Sequence, residues 1–183
     1  MATLSYDPLW PRAGDWPALS DFEPATSARP TEGIAVDLAL LGVPAWRTSL
    51  SPTNAHATPA AIREALRRYS PALMPDRSAA GAAPFQTPAA AGARSPRDLF
   101  ELRFADAGDV PEPDGPEGEA RTIAATAAAL ERAATLVALG GDNSVTVATA
   151  LGAWGDDLAT AGLVTIDAHY DPVSYTHLTL PTN

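Results

Sequence analysis

The chain has 183 residues, 46% of them hydrophobic and 19% charged, with a formal net charge of −10, a globular composition long enough to bury one real core. The acidic balance leaves no basic surface for nucleic acid or for an anionic membrane. The absence of cysteine excludes disulfides, thiolate nucleophiles and zinc–cysteine sites, and with neither a signal-peptide pattern nor an apolar run approaching ~18 residues the chain reads as soluble and cytoplasmic.

Residues 1–33 are rich in proline and read as an irregular arm anchored by Tyr6, Trp10 and Trp16. The segment 34–43 is mostly apolar and rich in branched residues, which suits a buried strand of a parallel sheet covered on both faces. A loop runs from 44 to 58. The stretch 59–69 predicts a helix, with Thr58 as N-cap, Pro59 at the first helical position and Ile62, Leu66 and Tyr69 on one face. Residues 70–97, rich in Ala, Pro, Gly and Ser, read as a loop or insertion.

A strand is expected over 100–107, then an acidic, Pro/Gly-rich loop over 111–118 and an alanine-rich helix over 119–134. From there the pattern is regular: a short strand at 135–139, a Gly140-Gly141 turn, a helix over 144–154 capped by Asp142 or Asn143, and another strand at 162–166. Strand, helix and strand in such quick succession form a right-handed βαβ unit. The alternation along the chain predicts an α/β fold with a mostly parallel sheet and no internal repeat.

In such a sheet, ligands bind beyond the carboxyl ends of the strands. Gly140-Gly141-Asp142-Asn143-Ser144 follows one strand, and Asp167-Ala168-His169-Tyr170-Asp171 follows the next. Alternate residues of an extended strand share a face, so Asp167, His169 and Asp171 can converge on one volume. Burying two carboxylates without a cation is costly, and hard oxygen with borderline nitrogen ligands suits a divalent metal. A Gly-Gly-Asp turn alone is compatible with a plain turn and helix cap.

Taken together, Leu41-Gly42-Val43-Pro44, Thr58-Pro59-Ala60-Ala61-Ile62-Arg63, Asp106-Ala107-Gly108-Asp109 and the two later motifs resemble the ureohydrolase family of arginases, agmatinases and formimidoylglutamases, in order and spacing, over about residues 34–171. The resemblance implies a three-layer α/β/α domain and hydrolysis of a guanidino or formimino C–N bond with two manganese ions (Mn2+). It implies that Asp167 bridges both metals, Asp171 binds the first and His169 the second. The family's look leans toward formimidoylglutamase-like or agmatinase-like members. A small guanidino or formimino molecule is the expected partner, and the full-length parent is expected to be a homo-oligomer.

Asn143 stands where the family usually has a metal-ligating histidine, and its amide is a poorer ligand for manganese; helix capping is its other reading. The family's later Asp-x-Asp pair does not occur in this chain. His56 and Arg47, in the loop after the first strand, are candidates to touch substrate, or else surface loop residues. Asp106 and Asp109 read as turn-holding residues. Segment 173–183 contains neither alanine nor arginine, although all 12 basic residues of the chain are arginine; it reads as a non-native tail, with His177 given no role. Residues 34–172 are accordingly expected to be the N-terminal part of an arginase-like domain, inactive in this truncated form. Two other readings stay open: a single-metal amidohydrolase resembling the metal-dependent deacetylases, and a non-catalytic, metal-free relative.

Overall fold

Three apolar segments pair side by side, all parallel, in the order β2-β1-β3. The computed structural model describes residues 15–24, 34–68, 102–164 and 166. Within them lie β1 (Val36–Val43), α1 (Thr58–Leu66), β2 (Phe104–Asp109), α2 (Gly118–Leu130), β3 (Ala133–Gly140) and α3 (Val145–Trp154). The central strand β1 is buried along nearly its whole length, as a continuous apolar run in a parallel sheet requires.

The two faces of β1 meet different helices. Leu41 and Val43 pack with Ala125 of α2, Leu136 of β3 and Val145 of α3. Leu40, one residue out of phase, is in register with Asp106 of β2, and Asp106 is held by Arg63 of α1. Alternate residues of a strand point to opposite faces, so α1 covers one face and α2 with α3 the other. This is the α/β/α arrangement expected from the sequence. The described part of the N-terminal arm closes the outer edge of β2: Trp16 stacks on Phe104 with ring centroids 5.1 Å apart, the Asp106 N–H donates to Pro17 O at 3.0 Å, and Leu19 is buried against Val36, Ala39 and Ala105.

A bulge shapes the end of β2. Leu40 pairs with Asp106 but Gly42 pairs with Asp109, so β2 carries one extra residue there. Gly108 takes it up with φ +75°, a conformation that costs glycine little. In a regular strand Asp106 and Asp109 would face opposite sides. The bulge turns both toward α1, where Arg63 Nε and Nη2 each donate to Asp106 at 2.8 Å and Nη1 donates to Asp109. Asp106 also accepts the Gly108 N–H at 2.8 Å, so it holds the turn as expected and anchors a helix besides. Burial alone would lower the Arg63 pKa, but hydrogen bonds and charge from Asp106 and Asp109 outweigh it and raise the value. The guanidinium therefore stays charged wherever the chain is folded.

Several element boundaries differ from expectation. Thr58 is the first helical residue rather than the cap, because a 3-10 turn at Ala55–Ala57 leads directly into α1. That helix ends at Leu66, and Tyr69 lies outside the described residues. β2 runs on to Asp109, two residues past the expected end at 107. α2 stops at Leu130 and β3 begins at Ala133, since the Val36 N–H donates to Arg132 O and draws the chain into the sheet early.

The predicted strand at 162–166 is the largest difference: its described residues, 162–164 and 166, are not in a strand. Leu163, Val164 and Ile166 are 59%, 88% and 98% exposed. A strand requires a hydrogen-bonding partner, and none pairs with them among the described residues. The loop at 70–97 and segment 173–183 lie outside the described residues.

Arg63→Ala is expected to cost about 2–4 kcal/mol, because it leaves two carboxylates facing the sheet edge unpaired. Arg68, in an exposed ion pair with Glu64, serves as control, and Arg68→Ala is expected to change stability by no more than about 0.5 kcal/mol. Urea unfolding of both variants distinguishes the roles, and equal effects would contradict them.

Candidate functional site

The carboxyl ends of β1 and β3 and the loop before α2 meet at one end of the sheet. The turn after β3 approaches the segment after β1 so closely that a Cβ at Gly141 would collide with the carbonyl oxygen of Ala45. Glycine allows the Asp142 N–H to donate to Ala45 O at 2.9 Å, which pins the turn against the loop.

Asp142 then binds that loop with its side chain. Oδ2 accepts from Thr48 Oγ1 at 2.8 Å and Ser49 Oγ at 3.3 Å. Oδ1 accepts the Ser144 N–H at 3.1 Å and the Ser144 hydroxyl. Burial alone would raise the Asp142 pKa, but the hydrogen bonds from Ser144, Thr48 and Ser49 outweigh it and lower the value. With two donors on each oxygen, this carboxylate organises the turn and leaves little capacity to ligate a metal. Nor does it cap α3: the N-cap is Ser144, without a side-chain bond, and Asp142 instead closes a turn onto the residue two further on.

A second carboxylate holds the same loop from the other side. Asp114 accepts the Trp46 N–H at 3.0 Å and the Arg47 N–H at 3.3 Å. Asp114 is itself fixed, because Arg121 of α2 donates to the carbonyls of Pro111, Pro116 and Glu112 and clamps its loop. The loop after β1 is thus tied to two other loops by carboxylates some 70 to 90 positions away in sequence, as the separations 67, 68, 93 and 94 record.

The sequence-predicted site residues fare differently. Asn143 sits on the turn after β3 with an exposed side chain. Its carbonyl accepts the Thr146 N–H at 3.1 Å, while its side-chain amide makes no hydrogen bond among the described residues. The N-cap of α3 is Ser144, so Asn143 does not cap the helix. Arg47 is exposed and lines a cleft of about 300 Å³ with Thr48, Asp114, Glu119 and Ser144. His56 is exposed, with its ring tilted against Trp46 at a centroid distance of 5.5 Å, and does not line that cleft. Asp167, His169 and Asp171 lie outside the described residues. Among the described residues no group of three His, Asp or Glu side chains gathers in the way a metal ion needs. Asp114 and Asp142 are the residues that sequence reasoning missed as loop anchors; Asp142 stood out through its glycines, whereas Asp114 carried no local signal.

The interlocked polar loops lie at the carboxyl ends of the parallel strands, the end at which open α/β sheets in general bind ligands. The chain is a member of the arginase family, whose model matches residues 36–179. Among solved structures it is similar to proclavaminate amidino hydrolase from Streptomyces clavuligerus, with 19% identity and a TM-score of 0.52 over 80% of this chain and 40% of that one. It is also similar to formimidoylglutamase from Bacillus subtilis, with 21% identity and a TM-score of 0.46 over 82% of this chain and 39% of that one. The chain thus spans about two fifths of the length of these structures. No curated protein matches it. Among the described residues no helix is long and apolar enough to cross a membrane.

Replacing Asp142 by Asn is expected to cost about 1 kcal/mol at pH 7, since the charged acceptor is lost at a half-exposed site. A carboxyl whose folded pKa is depressed contributes stability above its unfolded pKa of about 4 and loses it as the pH falls through the folded value. The difference between the wild type and Asp142→Asn should therefore be largest at neutral pH and shrink below about pH 4. Urea midpoints across that range check this, and a pH-independent difference would contradict it.

Proposed function

We propose that the protein is a metal-dependent hydrolase acting on the C–N bond of a guanidino or formimino group. Membership of the arginase family, whose members are hydrolases acting on amidino C–N bonds, is the observation that carries this reading. The position of Asn143 at the carboxyl end of β3 supports it further. Manganese is the expected metal. Its ligands in this chain would be Asp167, His169, Asp171 and, more weakly, the Asn143 amide oxygen. The free Asn143 amide and the oxygen-rich donor set fit a hard divalent cation, whereas the saturated Asp142 does not compete for it.

A bound metal pair would supply a hydroxide nucleophile at neutral pH for the planar amidine-like carbon. The chain's own groups do the positioning. Asp142 fixes the turn that presents Asn143. Asp142 and Asp114 together hold the loop 45–49 as a preformed wall, so no ordering of that wall is left for the moment of binding. Arg47 projects from it toward the substrate space, and His56 lies in the same loop further along.

The test is hydrolysis by the protein expressed from its complete reading frame, followed as release of urea, ammonia or formamide from guanidino and formimino compounds. Activity should be abolished by a chelator and restored by manganese, and Asp167→Asn should lower it at least about 100-fold. Restoration by zinc alone would favour the single-metal amidohydrolase reading. Absence of hydrolysis with every substrate and metal would favour the non-catalytic relative.

A further inference from the structure

The two edges of the sheet differ. On the outer side of β2, Ala18 bridges to Asp106, and the Asp106 N–H donates to Pro17 O. The outer side of β3 has no strand partner among the described residues. Val36 is in register with Ala133, and its N–H donates to Arg132 O. Backbone groups of successive residues alternate between the two neighbours of a strand, so Ala133, Thr135, Val137 and Leu139 turn their N–H and C=O groups to the open side. Proteins blunt an open edge with proline, charge or a bulge. Residues 133–140 contain neither proline nor a charged residue, and their register with β1 is unbroken. Beside this edge lies a cleft of about 590 Å³ between β3 and α3, and none of its lining residues is charged, although the chain carries a net charge of −10. Trp154 and Leu163, both exposed, line it.

We infer that β3 pairs with β3 of a second copy of this chain, antiparallel across a twofold axis. A second copy fits the edge on three counts. Its edge and cleft are uncharged, so two acidic chains can close there without bringing like charges together. The edge is also complementary to itself. With Leu136 at the axis, Ala133 lies opposite Leu139 and Thr135 opposite Val137, so all four outward-facing residues find a backbone partner. Leu136 then faces its own copy in the pair type that brings side chains closest, and the two uncharged clefts lie side by side on one face of the joined sheet. Finally, the assembly closes on itself. The six strands run β2-β1-β3-β3-β1-β2, each outer strand carries its own N-terminal arm, and an interface that uses the same patch on both copies ends at a dimer.

Sedimentation velocity of the full 183-residue chain is expected to show a species of twice the chain mass. Val137→Pro removes an N–H that faces only the seam. Val137→Lys places a charge at the seam on a side chain that is exposed in the single copy. Each should weaken the dimer at least about tenfold, and Val137→Lys should keep the circular dichroism of the wild type, which separates loss of pairing from loss of fold. The chain has no cysteine, so single cysteines report the register. Oxidising a mixture of Thr135→Cys and Val137→Cys chains should crosslink more of the protein than oxidising either variant alone. A monomer, an open-ended series of larger species, a dimer that both Val137 variants leave unchanged, or equal crosslinking with and without mixing would overturn the inference. A monomer whose β3 amides resist hydrogen exchange would likewise overturn it and assign the edge to another segment of the same chain.

Discussion

The join between the strand-end loops of β1 and β3 depends on one carboxylate accepting hydrogen bonds from two directions. Asp142 takes donors from its own turn on one oxygen and from the loop after β1 on the other. Loops at the end of a parallel sheet lack the backbone ladder that holds the strands, so they are ordered by side-chain bonds or remain mobile. Here the bond to Asp142 joins the carboxyl ends of β1 and β3, and Asp114 adds the loop before α2. Gly141 makes the junction possible, since any side chain there would push the two segments apart.

The same accounting separates structural acids from chemical ones. Of the 22 acidic residues, Asp106 and Asp109 are committed to Arg63, Asp114 to backbone N–H groups, and Asp142 to hydroxyls and a backbone N–H. A carboxylate with its lone pairs occupied in this way holds geometry. Near the strand ends the Asn143 amide makes no hydrogen bond among the described residues, which is why the proposed metal chemistry includes it. Excess negative charge near such a site also suits a ligand or metal that is cationic at its reacting end.

Much of this fold is legible in the sequence because it is local. The apolar runs of β1 and β3, the Gly-Gly turn and the alanine-rich α2 each announce themselves within a few residues. The order β2-β1-β3 and the bulge at Gly108 are not local, and the pairing of Arg63 with two aspartates was visible only as two separate motifs. Segment 162–166 shows the limit most clearly. Its apolarity calls for burial but does not specify a partner, and Leu163, Val164 and Ile166 remain exposed. Asp114 illustrates the same limit from the polar side: an aspartate in an acidic loop looks solvated until the loop it binds, 68 positions away, is placed beside it.

The central claim is that the turn after β3 and the Asp-Ala-His-Tyr-Asp segment contribute to one metal-binding volume. The direct measurement is the affinity for Mn2+ by electron paramagnetic resonance in the wild type, Asn143→His, His169→Ala and the double variant. A shared volume predicts that Asn143→His tightens binding and that this gain depends on His169, so the two effects fail to add by more than about 0.5 kcal/mol. Additive effects, or affinity indifferent to both substitutions, would contradict the account.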